Sequence, residues 1–122
     1  MNCLNPTCGD KVFPDHFSFQ DNAYHQNQNG ATLTINIACK DATVENGTLF
    51  VYPGTHKEGI LPFEPSKSFR ESKGSQPGNL LKLPRKYLDK KTDVLMKKGD
   101  LLILHGNCAH GSYANTTEFS RP

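Results

Sequence analysis

Short apolar runs separated by turn residues make up most of the chain, and their pattern predicts β-strands. Residues 31–39, ATLTINIAC, alternate small or polar side chains with apolar ones and are rich in β-branched residues, which is typical of a strand. Asn46-Gly47 predicts a tight turn, and a strand at 48–52, TLFVY, follows it and ends at Pro53-Gly54. Further strands are predicted at 93–96, 101–105 and 109–113, the second of them buried.

The recurrence of strand, turn and strand, with no long amphipathic helix, predicts an all-β fold, either a sandwich or a barrel. Residues 62–89 are rich in Pro, Ser, Gly and Lys and show no clear period, so they are predicted to form a long loop or insert. A short helical turn is predicted within it, near Arg85 to Leu88. The 122 residues fit a single domain, 1–122.

Composition narrows the classes of partner and compartment. The formal net charge of +2 is too small to indicate a nucleic-acid partner. No window approaches the roughly 18 apolar residues of a membrane span, and the N-terminus has no apolar stretch like that of a signal peptide. We therefore expect neither a nucleic-acid nor a membrane partner, and a cytoplasmic or organelle-lumen protein that is not secreted. The basic stretch at 82–98 is a patch for an anionic substrate or, more commonly for such runs, a solvated loop face.

The four cysteines form no C-x-x-C pair, which disfavours a structural zinc site. Without a secretory signal, free thiols are expected rather than disulfides. Cys108 lies two residues before His110, and we interpret it as a small core residue.

Four segments carry a family resemblance when they are taken in order. They are QDNAY at 20–24, NGTLFVYPGTHKEG at 46–59, KKGDLLILHGNCAHGS at 97–112, and Arg121 near the end of the chain. Together they resemble the phytanoyl-CoA dioxygenase family of Fe(II)- and 2-oxoglutarate-dependent oxygenases, over roughly residues 17–121. The resemblance implies a double-stranded β-helix, or jelly roll, which agrees with the all-β prediction. It also implies that this chain is short for the family, as a fragment would be.

The resemblance implies an iron site. In that family Fe(II) is held by a His-x-Asp pair and a distant His, two imidazoles and a carboxylate on one face of an octahedron. Asp21 matches the carboxylate ligand and His110 matches the distant His. Oxidative decarboxylation of 2-oxoglutarate to succinate and CO₂ would then drive hydroxylation of a small organic substrate.

The resemblance also implies a pocket for 2-oxoglutarate. Arg121 matches the residue that pairs with the remote carboxylate, a task suited to the two-pronged guanidinium group. Ser112 matches a hydroxyl that helps to hold the same carboxylate. Gln20 and Asn36 lie where the family lines the pocket. The Pro53–His56 segment resembles the family's turn, so His56 is expected to be structural, and no ligand role is expected for His105.

One position departs from the pattern, because Phe19 stands where the first His of His-x-Asp belongs. A phenyl ring cannot donate to a metal. His16 or His25 could replace the missing ligand only if a bulge or turn brought it in, since ligand sets demand tight geometry. The halogenating relatives lose the carboxylate and keep both histidines, which is the opposite change.

Three hypotheses follow. The chain is an iron- and 2-oxoglutarate-dependent dioxygenase that hydroxylates a small molecule, or a degenerate jelly roll that binds 2-oxoglutarate or a similar acid without oxidation, or a β-sandwich interaction module without metal. Phe19 separates the first two, and Arg121 with Ser112 separates the second from the third. Taken singly, Asp21, His110 and Arg121 would be ordinary turn, core and surface residues. At the family's spacing the three together favour a site.

Overall fold

The computed structural model describes residues 18–25, 32–65 and 79–120. Its strands are β1 (Leu33–Ile37), β2 (Leu49–Val51), β3 (Phe63–Pro65), β4 (Asn79–Leu81), β5 (Thr92–Val94), β6 (Leu101–His105) and β7 (His110–Ser112). Helix α1 is Asn22–His25, a 3₁₀ helix spans Thr55–Glu58, and helix α2 is Arg85–Leu88. Each of these helices is four residues long, so the predicted all-β class is confirmed.

Strands β1 and β6 form an antiparallel ladder of five residue pairs, from Leu33 opposite His105 to Ile37 opposite Leu101. Their side chains alternate in burial as strand geometry requires, with Thr34, Asn36 and Leu104 on the inner face. The predicted buried strand at 101–105 is wrong in one respect, because its alternate residues are open to solvent. The outer face of this ladder exposes more than half of each of five apolar side chains: Leu33, Ile35, Ile37, Leu101 and Ile103.

Strand β2 is the centre of a second antiparallel sheet of order β5-β2-β7. Phe50 is paired with Gly111 of β7 on one side and Asp93 of β5 on the other. It is 2% exposed, and the rings of Tyr52 and Tyr113 pack edge-on against it. This sheet carries β7, which starts at His110, and so holds one side of the candidate site.

The predicted long loop or insert at 62–89 contains regular structure of its own. Strands β3 and β4 pair antiparallel within it, and residues 66–78 between them lie outside the described part of the chain. The predicted helical turn is confirmed as α2. The carboxylate of Glu58 accepts hydrogen bonds from the Tyr87 hydroxyl at 2.6 Å and from Lys86 Nζ at 2.5 Å, which fastens α2 to the 3₁₀ helix. Those two hydrogen bonds, the Lys86 one first, lower the pKa of Glu58.

The apolar core consists of small clusters. One contains Phe50, Tyr52 and Ala109, and another contains Ala38, Ala42 and Met96. Several residues that are almost completely buried are polar instead: Ser18, Gln20, Thr48 and Thr55. Cys39 and Cys108 are free thiols, as expected, and Cys108 is buried as predicted for a core residue. Within the described residues, no helix is long and apolar enough to cross a membrane.

The turn at Gly47 predicts a stability difference that can be measured. Gly47 has φ of 86°, and a Cβ placed there would lie 2.9 Å from the backbone oxygen of Tyr113. Gly99 has φ of 95° but open space around it. We expect Gly99→Ala to lower the free energy of unfolding by about 1–2 kcal/mol, the cost of a left-handed conformation. Gly47→Ala should cost clearly more, because the backbone of the 113–115 segment must also move.

Urea unfolding of both variants, followed by circular dichroism, measures this difference. Equal losses in the two variants would show that the β7 end of the sheet accommodates the added methyl group without a steric penalty.

Candidate metal and co-substrate site

Phe19 and His110 form an antiparallel bridge, which brings the start of the 20–24 segment next to the end of the 97–112 segment. The Phe19 N–H donates to the His110 carbonyl at 2.8 Å, and the His110 N–H donates to the Phe19 carbonyl at 3.0 Å. Residues that exchange both hydrogen bonds in this way place their side chains on the same face of the ladder. The two rings accordingly lie 4.4 Å apart between centroids, at 60° to each other.

His110 is buried and held in one orientation. It begins β7, pairs with Val51, and is 4% exposed. Its Nδ1 lies 2.8 Å from the carbonyl oxygen of Cys108. A carbonyl oxygen only accepts, so Nδ1 carries the proton and the lone pair of the neutral ring is on Nε2. This is the usual arrangement of a histidine that ligates a metal through Nε2.

Asp21 lies in the turn before α1. Its Oδ1 is 3.6 Å from Nε2 of His110. Its Oδ2 accepts a hydrogen bond of 2.5 Å from the Thr34 hydroxyl on β1. Two ligands at right angles, each on a bond of about 2.1 Å, are roughly 3 Å apart, so the observed spacing is near that of two ligands of one cation.

Gln20 is 0% exposed, and hydrogen bonds take up its amide group. Nε2 donates to the carbonyl oxygens of Gly59 and Asn107, at 2.9 and 2.5 Å, and Oε1 accepts from the Leu61 N–H at 2.8 Å. The side chain therefore links the QDNAY segment to the residues that follow the 3₁₀ helix and to the β6–β7 turn. Its predicted contact with 2-oxoglutarate stays a prediction, and its observed contacts are these three hydrogen bonds to backbone groups.

Asn22 braces the other side of the same turn. Its Oδ1 accepts from the Thr32 N–H at 3.1 Å, its Nδ2 donates to Oδ1 of Asn107 at 2.6 Å, and its N–H donates to the Gly106 carbonyl at 3.0 Å. A Cβ at Gly106 would collide with the Asn22 side chain and lie 2.9 Å from the Thr32 carbonyl oxygen. Glycine at 106 is thus what lets the β6–β7 turn approach the Asp21 turn.

The Pro53–His56 turn supports β7, as expected of a structural turn. Gly54 has φ of 91°. The buried hydroxyl of Thr55 donates to the Tyr52 carbonyl at 2.7 Å and accepts from the Ala109 N–H at 2.8 Å, immediately before His110. The Cys108 thiol contacts this same group at 4.0 Å. Burial raises the pKa of Cys108, so the thiol stays protonated and is a poor metal donor.

The other predicted residues lie in different settings. Asn36 is half-buried on β1, two residues from Thr34 and on the same face. Ser112 is exposed on β7, two residues from His110. Arg121 and His16 lie outside the described residues, and the side chain of His25, the last residue of α1, is not described either. The rings of His56 and His105 lie 5.4 Å apart, and His105 Nδ1 accepts from the Asn107 N–H at 3.0 Å.

Sequence reasoning missed three groups that support the site: the Thr34 hydroxyl, the Thr55 hydroxyl and the Cys108 carbonyl. Thr34 had a usable signal, because it is an inward polar position in the alternating strand LTINI. Thr55 had a weaker one as the hydroxyl residue of the Pro-Gly-Thr-His turn. The contact between the Cys108 carbonyl and His110 had none, because a backbone oxygen leaves no mark in the sequence.

Among solved structures, this fold matches an iron- and 2-oxoglutarate-binding enzyme. The epimerase SnoN, in complex with Fe3+, alpha ketoglutarate and nogalamycin RO, superposes with a TM-score of 0.52 and 27% identity, over 73% of this chain and 31% of that one. The chain thus has the jelly-roll fold of the Fe/2-oxoglutarate-dependent oxygenases, as the sequence predicted.

The family model described as Phytanoyl-CoA dioxygenase (PhyH) matches residues 1–122, and the chain belongs to this family. Phytanoyl-CoA dioxygenase domain-containing protein 1 of Danio rerio is 34% identical over 75% of this chain and 31% of its own length. Its homolog in Dictyostelium discoideum is 34% identical over 84% of this chain and 36% of its own. The Phytanoyl-CoA dioxygenase of Arabidopsis thaliana is 29% identical over 95% and 38%. The chain spans about a third of the length of these relatives.

The donor set fits iron only in part. Asp21 Oδ1 and His110 Nε2 would hold the ion, and the third place on their face belongs to the Phe19 ring. Among the residues that the structure describes, no group of three or more His, Cys, Asp or Glu side chains could hold one metal ion. A facial triad of two imidazoles and a carboxylate is therefore not assembled there.

The hydrogen bonds of Gln20 predict that its replacement affects folding more than ligand binding. Gln20→Leu leaves the Leu61 N–H and two carbonyls without their partner, and Gln20→Glu turns a carboxylate oxygen toward those carbonyls. Each buried group left unpaired costs about 1–3 kcal/mol, so both variants should lose at least about 3 kcal/mol of unfolding free energy. Urea unfolding beside 2-oxoglutarate titration separates the roles. Unchanged stability with weakened binding would instead assign Gln20 to the pocket.

Proposed function

We propose that this protein is a jelly-roll member of its family that binds 2-oxoglutarate or a similar small acid, and that its weakened iron site supports little oxidation. The observation that carries the proposal is the Phe19 ring packed 4.4 Å from the His110 ring, on the face where a second imidazole is needed. The match to the family and to an alpha-ketoglutarate complex supports the acid as ligand.

The residues present supply only part of an iron site. Asp21 and His110 would hold the cation, and bound iron would supply the redox chemistry of 2-oxoglutarate decarboxylation. Two protein ligands hold it less firmly than three, because losing even an outer partner costs roughly 10–100-fold in metal affinity. The Phe19 ring also puts an apolar surface where a polar ligand belongs.

Two of the predicted co-substrate residues, Asn36 and Ser112, lie on strands β1 and β7. Asn36 and Ser112 each lie two residues along a strand from a residue of the site, Thr34 and His110 respectively, and so share their strand faces. Arg121 would anchor the remote carboxylate.

A working dioxygenase that hydroxylates a small organic substrate is the second candidate. The 3.6 Å spacing of Asp21 and His110, with the lone pair of His110 on Nε2, favours it. The relatives named phytanoyl-CoA dioxygenase suggest an acyl coenzyme A ester as one substrate class. A histidine from elsewhere, such as His16 or His25, would have to supply the third ligand.

Replacement of Phe19 by histidine tests the iron site directly. The bridge to His110 places any side chain at position 19 on the same face as that imidazole. We expect Phe19→His to tighten Co(II) or anaerobic Fe(II) binding by roughly tenfold or more, and to raise succinate production from 2-oxoglutarate in air. Isothermal titration calorimetry and a succinate assay measure the two effects.

Phe19→Leu is the matched control, because it removes the aromatic ring without adding a donor and should gain nothing. The double variant Phe19→His/His110→Ala should lose the gain. A folded Phe19→His protein that binds metal no better than its parent contradicts the proposal. A natural chain that is already active, and is inactivated by His16→Ala or His25→Ala, makes the dioxygenase the correct reading.

A separate prediction concerns the contribution of Arg121 to the binding of 2-oxoglutarate. Loss of one partner of a buried charge pair costs about 2–5 kcal/mol, so Arg121→Ala should weaken 2-oxoglutarate binding by tenfold or more. Arg121→Lys keeps the charge but loses the two-pronged geometry, and an intermediate affinity is expected. Calorimetry with 2-oxoglutarate measures both. Equal affinity in all three proteins removes the anchor role, and a natural chain that binds no 2-oxoglutarate favours the interaction module.

A further inference from the structure

The Asp21 carboxylate uses its two oxygens for different contacts. Oδ2 accepts a hydrogen bond of 2.5 Å from the Thr34 hydroxyl, and Oδ1 lies 3.6 Å from Nε2 of His110. A carboxylate only accepts hydrogen bonds, so the Thr34 hydroxyl is the donor. With Oδ2 held in this way, Oδ1 is the oxygen that faces the imidazole.

Thr34 is itself firmly placed. It is the second residue of β1, and its partner across the ladder, Leu104, is 6% exposed. Its neighbours Leu33 and Ile35 point to the exposed outer face, so the Thr34 side chain points inward. The branched Cβ restricts rotation about χ1, so the hydroxyl has few alternative positions.

Asp21 depends on such a contact more than a strand residue would. It lies in a turn, before a helix of only four residues, and its own backbone belongs to neither ladder. The anchors of this turn, Gln20 and Asn22, fix its backbone but do not contact the Asp21 carboxylate through any described hydrogen bond. The orientation of the carboxylate is therefore set from β1.

We propose that Thr34 is a positioning residue of the metal site, whose hydroxyl turns the Asp21 carboxylate so that Oδ1 meets the cation that His110 binds. This inference rests on the proposed function, in which Asp21 and His110 hold that cation. Histidine-linked and carboxylate-linked outer partners of this kind tune metal affinity by roughly 10–100-fold.

Thr34→Val tests the proposal, because it removes the hydroxyl and keeps the branched shape that a strand favours. In the full chain with Phe19→His, where tighter binding is expected, Thr34→Val should weaken Co(II) binding by roughly tenfold or more. Thr34→Ser restores the hydroxyl and should recover most of the affinity. Thr92→Val is the matched control. Thr92 lies on the exposed strand β5, away from the site, and its hydroxyl donates to the Lys90 carbonyl.

Three readouts separate the possible outcomes. If Phe19→His binds Co(II) and Thr34→Val leaves that affinity unchanged, the role of Thr34 is refuted and the proposed function stands. If no variant binds Co(II), the proposed function fails. A crystal structure of metal-free Thr34→Val then decides about Thr34: a rotated Asp21 carboxylate supports the positioning role, and an unmoved one overturns it. Thermal unfolding of Thr34→Val beside Thr92→Val shows whether a loss of affinity is only a loss of fold.

Discussion

The exchange of two backbone hydrogen bonds between Phe19 and His110 is the interaction on which the candidate site depends. It joins the beginning of the described chain to β7, near its end, and puts the side chains at positions 19 and 110 on one face. The Asp21 turn follows two residues later and brings its carboxylate to His110. Because the backbone makes this pairing, it persists with phenylalanine at position 19. The close approach of Asp21 to His110 thus coexists with a phenylalanine at position 19.

Polar side chains, more than apolar ones, hold the segments of the site together. Gln20 and Asn22 link the turn that contains Asp21 to the β6–β7 turn. Thr55 links the Pro53–His56 turn to the residue before His110. Each of these bonds is buried or partly buried, where an unpaired group would be costly. Such a network fixes positions more narrowly than apolar contacts, which tolerate sliding. A site that needs two side chains within one coordination sphere gains from this.

The β1–β6 ladder has two faces of opposite character. Thr34 and Asn36 face inward, beside the candidate site, whereas the outer face is a continuous row of exposed Leu and Ile side chains. Contiguous exposed apolar patches of this kind are uncommon on isolated domains. This chain also spans about a third of its relatives' length. The inner face is the one that contributes to the candidate site, through the hydrogen bond from Thr34 to Asp21.

The sequence by itself determined the positions of five of the seven described strands, the all-β class, the short helix at Arg85–Leu88 and the family. These follow from local signals, namely alternation, turn residues and ordered motifs, which act over a few residues. The proximity of Asp21 and His110 could be expected only through the family resemblance, because nothing local relates a turn at residue 21 to a strand at residue 110. Only the tertiary structure decided that Asp21 lies in a turn, that the Gln20 amide bonds three backbone groups, and that the Thr34 hydroxyl donates to the Asp21 carboxylate. The physical reason is the same in each case: these contacts join segments distant in sequence, and a side chain's hydrogen-bond partners are chosen when those segments pack together.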